Sequence, residues 1–187
     1  MKKIVFYGDS ITANFSHLSN HETITNLGIG GDKTLELIGR SKIFATLEVD
    51  HLFMMIGIND FLCNHGAWAH GPKIPFFTMY EALLQMLETN INHKNITLIS
   101  ILPIIAPSTI DISSIKANTE IDAINKQIEI LAKKYGFHYL NIAPKFKDLS
   151  NQLHEKYTND GIHLNALGYD LYYDLIIPYL EEDYDEL

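Results

Sequence analysis

Short apolar runs alternate with helically patterned segments along the whole of this 187-residue chain, and that alternation leaves few folds open. The first run, Lys3–Tyr7, is almost wholly apolar, as a strand covered on both faces must be. Further strands are read at Thr23–Asn26, His51–Ile56, Ile96–Leu102 and Phe137–Leu140. The two methionines of His51–Ile56 would suit a helix, but its length and the Gly57 that follows favour a strand. A helix capped by Asp32 is expected to run through Leu35 and Ile38 to Ser41. A second covers Phe77–Asn90, with Met79, Leu83, Met86 and Leu87 on one face. A third covers Ile115–Tyr135, where Ile121, Ile124, Ile128 and Leu131 recur at helical spacing before a C-terminal Gly136. A short helix is read over Lys147–Lys156 and a last one over Ala166–Leu180. Strands separated by such helices build a parallel sheet with helices on both faces.

At this length, with 47% hydrophobic residues, one core is filled and no second domain is expected, so residues 1–187 read as a single domain. No apolar run reaches the roughly 18 residues of a membrane span, so no stable membrane insertion is expected. The N-terminus opens like a signal peptide but reaches Gly8-Asp9 after a few apolar residues, short of the roughly 7–15 that an h-region needs. With the single Cys63, this suits a cytoplasmic protein. The net charge is −9, and Glu181, Glu182, Asp183, Asp185 and Glu186 supply five of those charges in an acidic C-terminal tail over about 181–187. Neither tail nor body offers the basic face that nucleic-acid binding needs.

Certain residues at the strand ends carry chemistry. Gly8-Asp9-Ser10 follows the first strand, and Asp160-Gly161-Ile162-His163 lies near the other end of the chain. A serine hydroxyl is a weak nucleophile at neutral pH and needs a base within hydrogen-bond reach. Histidine is suited to that role, and a carboxylate fixes its tautomer. Between them stand Asn26-Leu27-Gly28-Ile29-Gly30-Gly31-Asp32 and Gly57-Ile58-Asn59-Asp60. In an open parallel sheet, ligands bind beyond the carboxyl ends of the strands, which places all of these motifs on one edge. The glycine cluster is not Gly-x-Gly-x-x-Gly, and no Gly-Lys-Ser/Thr follows, so a nucleotide loop is disfavoured.

In these motifs and their order the chain resembles the SGNH hydrolases, the GDSL-like lipase/acylhydrolase superfamily. The resemblance implies a three-layer α/β/α sandwich around a five-stranded parallel sheet in the flavodoxin-like order 2-1-3-4-5. It implies a catalytic triad of Ser10, Asp160 and His163, with Ser10, Gly31 and Asn59 as oxyanion hole. The implied activity is a serine esterase acting on short acyl, above all acetyl, esters of a small molecule or saccharide. A thioesterase for acyl-CoA, an acyltransferase, a serine-type polysaccharide deacetylase or an idle binding module would use the same fold and positions. No metal or cofactor is implied. The sequence leaves the oligomeric state open. Only 15 residues separate Ser10 from Asn26, so the first crossover must be compact.

Other residues carry weaker signals. His17 and His21 have a spacing that metal sites use, but no third ligand accompanies them, and surface histidines are the simpler reading. Asp9 is expected to brace the Ser10 turn, and Arg40, the chain's single arginine, to form a structural ion pair. The Gly- and Pro-rich stretch His65–Pro75 reads as a loop whose Trp68 lines the cleft and contacts substrate.

Overall fold

The computed structural model of the protein describes residues 2–66 and 75–181. Trp68 lies outside the described residues, as does the acidic tail beyond Glu181. The strands β1 (Ile4–Gly8), β2 (Ile24–Gly28), β3 (His51–Met55), β4 (Ile96–Ile99) and β5 (His138–Leu140) form one parallel sheet in the order β2-β1-β3-β4-β5. Around it run α1 (Ser10–Ala13), α2 (Thr34–Arg40), α3 (Ile58–Asn64), α4 (Phe76–Glu88), α5 (Ser114–Tyr135) and α6 (Ala166–Glu181).

Strand alternation sorts side chains between two cores. Val5, Tyr7, Leu52, Met54 and Leu98 point to the face packed with Leu37, Leu83 and Ile121 from α2, α4 and α5. Ile4, Phe6, Phe53 and Met55 point to the opposite face, against Phe15 and the Tyr169, Tyr172 and Ile176 of α6. Burial on both faces explains why these strands read as nearly unbroken apolar runs. Among the described residues, no helix is long and apolar enough to cross a membrane.

Several elements depart from the sequence reading. No helix spans 147–156. Asp148 Oδ1 accepts from the amides of Ser150 (2.8 Å) and Gln152 (3.2 Å), Asn151 takes a left-handed φ of 62°, and Lys147 pairs with Leu153 as an antiparallel bridge. Short polar side chains bonding nearby amides have here displaced the helical pattern. Asp32 does not cap α2, whose N-cap is Lys33. The buried face of α4 is Tyr80, Leu83, Leu84 and Leu87, leaving Met86 40% exposed. On α5 the buried stripe includes two polar residues, Asn118 and Asn125. As the short spacing requires, the β1–β2 crossover holds only α1 and a 3-10 helix at Ser16–Asn20.

Arg40 joins the sheet to α2. Its guanidinium donates to Asp32 Oδ2 (2.8 Å) and to the carbonyls of Leu27 (2.7 Å) and Gly8 (3.0 Å), and lies 4.5 Å from the centre of the Tyr7 ring. The two carbonyls end β2 and β1, so one side chain fixes the two strand ends from which Ser10 and Gly31 depart. Arg40→Met should therefore destabilise the fold by roughly 2–4 kcal/mol, because it strands a buried carboxylate and two carbonyls. Urea unfolding checks this, and a loss under about 0.5 kcal/mol, usual for a surface change, would reduce Arg40 to a surface residue.

Candidate active site

Several residues of the sequence motifs come together in the structure. Ser10 is the first residue of α1, one step beyond the buried Asp9. Its Oγ lies 3.0 Å from His163 Nε2, although 153 positions separate them in the chain. His163 Nδ1 lies 2.6 Å from Asp160 Oδ2. That bond fixes the tautomer: the proton resides on Nδ1, which leaves Nε2 as an acceptor facing the serine hydroxyl.

The turn that carries Asp160 and His163 is built by its own side chains. Asp160 Oδ1 accepts from the amides of Ile162 (2.9 Å) and His163 (2.8 Å) while Oδ2 holds the imidazole. Burial works against the ionised carboxyl, but the His163 ring and the two amides outweigh it and hold Asp160 at about 2. The Thr158 hydroxyl accepts from Gly161 N (2.9 Å) and donates to His163 O (2.7 Å), closing the turn from behind. Gly161 has a φ of +87°, and a Cβ there would stand 2.7 Å from Ile105 O, so both conformation and space demand glycine. Thr158 escaped the sequence reading. Its signal is a hydroxyl residue two positions before an aspartate, a common local bonding pattern.

Gly31 and Asn59 flank the serine from β2 and β3. Gly31 is left-handed, with a φ of +83°, and a Cβ there would meet nothing within 4 Å, so open space lies over it. Its amide and that of Ser10 donate to no described group. Asn59, 5% exposed in the first turn of α3, donates one amide hydrogen to Asp32 O (2.9 Å). A carboxamide has a second hydrogen to give. Asp60 anchors α3 to α2 by accepting from the amide (3.0 Å) and hydroxyl (3.1 Å) of Thr34. The sequence reading did not foresee α3, and this helix positions Asn59.

The remaining candidates go elsewhere. His17 pairs with Asp170 (2.9 Å) and His21 with the Tyr173 hydroxyl (2.6 Å), so both tie the first crossover to α6. His65 Nε2 lies 2.9 Å from Glu120 on α5.

A model of the GDSL-like Lipase/Acylhydrolase family matches residues 6–171. The chain belongs to this family. The GDSL-like fold is shared with solved structures over almost the entire chain. One is a Streptococcus pneumoniae protein whose description refers to platelet activating factor, with 28% identity and a TM-score of 0.78 over 96% of this chain and 84% of that one. A GDSL-like lipase of Bacteroides thetaiotaomicron has 24% identity and a TM-score of 0.79, over 96% of this chain and 88% of that one. An acetyl-xylooligosaccharide esterase of Geobacillus has the same architecture at 16% identity, with a TM-score of 0.75 over 97% and 95% of the two chains. No curated protein sequence matched significantly. As a GDSL-like family member, the protein is a hydrolase of the acylhydrolase/esterase kind.

Asp9 gives the site a measurable electrostatic signature. It is 1% exposed, its Oδ1 accepts from Ile11 N (2.9 Å), and its Oδ2 has no hydrogen-bond partner. Burial raises its pKa to about 7, against the opposing pull of the Ile11 amide and His163 and with the help of Asp60 and Asp32. The folded chain thus keeps a proton that the unfolded chain releases near its ordinary value of about 4. Stability should fall as pH rises from about 4 to about 7, by on the order of a few kcal/mol, and then level off. Asp9→Asn cannot titrate and should lose that slope, which urea unfolding at a series of pH values measures. Parallel curves for the two proteins would show that Asp9 ionises normally.

Proposed function

We propose that the protein is a serine esterase that hydrolyses short-chain acyl esters, acetyl above all. The hydrogen-bonded series Ser10–His163–Asp160, with its 3.0 Å and 2.6 Å contacts, carries the proposal. His163 Nε2 takes the Ser10 proton as the serine oxygen bonds to the ester carbonyl carbon, and Asp160 stabilises the imidazolium. The carbonyl oxygen becomes an oxyanion, held by the amides of Ser10 and Gly31 and the free amide hydrogen of Asn59. When the tetrahedral centre collapses, the alcohol leaves with the proton from His163. Water then attacks the acyl-serine, giving its proton to His163, and the acid departs as Ser10 recovers its hydrogen.

The preference for small acyl groups rests on space. A cavity of about 10 Å³ lies among Asp9, Ile11, Met55, Ile56, Ile58, Ile101, Leu102, Pro103, Ile104 and Ile162. Asp9 and Ile11 flank Ser10, Ile58 precedes Asn59 and Ile162 precedes His163, so sequence neighbours of the reacting groups line the cavity. Its volume is at the lower limit of what a single water needs, so it offers no room for a long acyl chain. The related architecture of an acetylxylan esterase, whose variants at a serine, an aspartate and a histidine are described as catalytic mutants, agrees with this reading.

Ser10→Ala should abolish hydrolysis of p-nitrophenyl acetate without unfolding the chain, and an organophosphonate should label Ser10 in the parent, read by mass spectrometry. Full activity in the alanine variant would end the proposal. Asn59→Ala should lower kcat by ~10²–10³ with little effect on KM; a change in KM alone would make Asn59 a ground-state binder. Across aryl esters, kcat/KM should fall steeply beyond about four carbons, through exclusion and not lost attraction, since one methylene is worth only ~1–3 kcal/mol. Efficient turnover of palmitoyl esters would refute the acyl-pocket reading and leave the triad standing.

A further inference from the structure

The single turn of α1 cannot bond all of its own carbonyls, so groups outside it decide where it sits. The amide of Asn14 donates to Ser10 O (3.0 Å) and that of Phe15 to Thr12 O (3.1 Å), which leaves Ile11 O between them. The Tyr169 hydroxyl donates to that carbonyl at 2.9 Å, across 158 positions of sequence. On the esterase reading above, we propose that Tyr169 is a positioning residue for the hydrolysis. Its hydroxyl sets the approach of Ser10 to His163, because it ties the residue after the serine to the helix that follows the histidine.

His163 and Tyr169 belong to one closely bonded piece of chain. Asn165, between them, donates from its backbone amide to Tyr157 O (2.9 Å) and from its side chain to Lys156 O (2.9 Å). Its Oδ1 accepts from Gly168 N (3.1 Å) and its carbonyl from Tyr169 N (3.0 Å), which joins the first turn of α6 to the same residue. Thr158 and Leu164 pair as an antiparallel bridge on either side of the triad turn. At Gly168 a Cβ would stand 2.6 Å from Tyr157 O and 3.0 Å from Leu164 Cβ, so α6 lies against that bridge with no room for a side chain. Tyr169, the next residue, is thereby coupled to the turn that bears Asp160 and His163.

On the nucleophile's side, α1 is held from two directions. Asn26 of β2 donates to Thr12 O (2.8 Å), and Tyr169 of α6 takes the neighbouring carbonyl. The second hold comes from the histidine's own segment. The Tyr169 ring is 7% exposed and stacks on Phe15, with centroids 5.6 Å apart. Burial, helped by the nearby Asp9, pushes the phenol's pKa up, so the hydroxyl keeps its proton and stays a donor at working pH. Its partner is a backbone carbonyl and neither reacting side chain, so it acts through the 3.0 Å separation of Ser10 Oγ and His163 Nε2. Proton transfer depends on that separation staying within hydrogen-bond reach.

Tyr169→Phe removes the hydroxyl and keeps the ring on Phe15, so the variant should fold, which near-ultraviolet circular dichroism checks. With p-nitrophenyl acetate its kcat should fall by about tenfold or more and its KM stay close to the parent's, since an ångström of misplacement can cost ~10²-fold in rate. Labelling of Ser10 by an organophosphonate should slow by a similar factor, because it uses the same serine and histidine without turnover. Tyr173→Phe is the control. The Tyr173 hydroxyl lies 2.6 Å from His21 Nε2 and also joins the first crossover to α6, but at the crossover's far end from Ser10. That variant should keep the parent's kcat and labelling rate. Both are assayed well below their unfolding midpoints, so that a loss of folded protein cannot pass for a loss of rate. Unchanged kinetics in Tyr169→Phe, or an equal loss in Tyr173→Phe, overturns the assignment while the parent's cleavage of the aryl ester keeps the esterase reading. A parent that neither cleaves the ester nor takes the label overturns both.

Discussion

One backbone hydrogen bond, from Ile105 N to Gly161 O at 2.8 Å, joins the loop after β4 to the turn that carries Asp160 and His163. The placement of the imidazole over Ser10 follows from it, because that turn lies far beyond the last strand of the sheet. The β4 loop is in turn held from α5. Asn118 bonds both ways to the backbone of Ile104, at 2.8 Å and 2.7 Å, and Asn125 does the same at Ile101, with 2.8 Å for each bond. Both asparagines are buried, so their amides replace the partners that this backbone lost on leaving the sheet. A helix on one face of the sheet thus braces the loop that meets the histidine's turn.

The broad architecture was legible because it depends on pattern. Unbroken apolar runs gave strand position to within a few residues, and Gly136 ended α5 in the left-handed conformation that the sequence suggests. That Ser10, Gly31 and Asn59 share an edge was legible because strand-end motifs in a parallel sheet must lie together, whereas Asp160 and His163, well beyond β5, are brought there by tertiary contacts. What the sequence hid was the support. Asn118 and Asn125 interrupt an apolar stripe and read as exposed polar positions until their backbone partners are known. Thr158 and Asp60 are ordinary turn and cap residues by type, and only the tertiary structure shows which amides they satisfy. The failed helix over 147–156 has the same origin, since Asp148 and Asn151 favour local bonding over helical periodicity, and no sum of propensities settles that competition.

The first crossover shows how little chain the site requires. Between Ser10 and β2 there is room for α1 and one 3-10 helix only, yet Asn26 closes the gap by donating to Thr12 O at 2.8 Å. The tight path also stacks Phe15 against Tyr172, with ring centroids 4.4 Å apart, so the crossover is packed down onto α6. Arg40 secures the other side. The start of α1, which bears Ser10, is thereby braced from both directions.

Asp9 and the apolar cavity explain one another. A carboxyl with one amide donor and one unpartnered oxygen is poorly matched to its surroundings as an anion. Every other lining residue of the cavity is aliphatic, a methionine or a proline, so the surroundings offer the second oxygen no donor side chain. Burial in such a lining penalises the anion more than the neutral acid. The surroundings of the two aspartates thus push in opposite directions: several donors hold the Asp160 carboxyl down at about 2, while burial raises that of Asp9 to about 7.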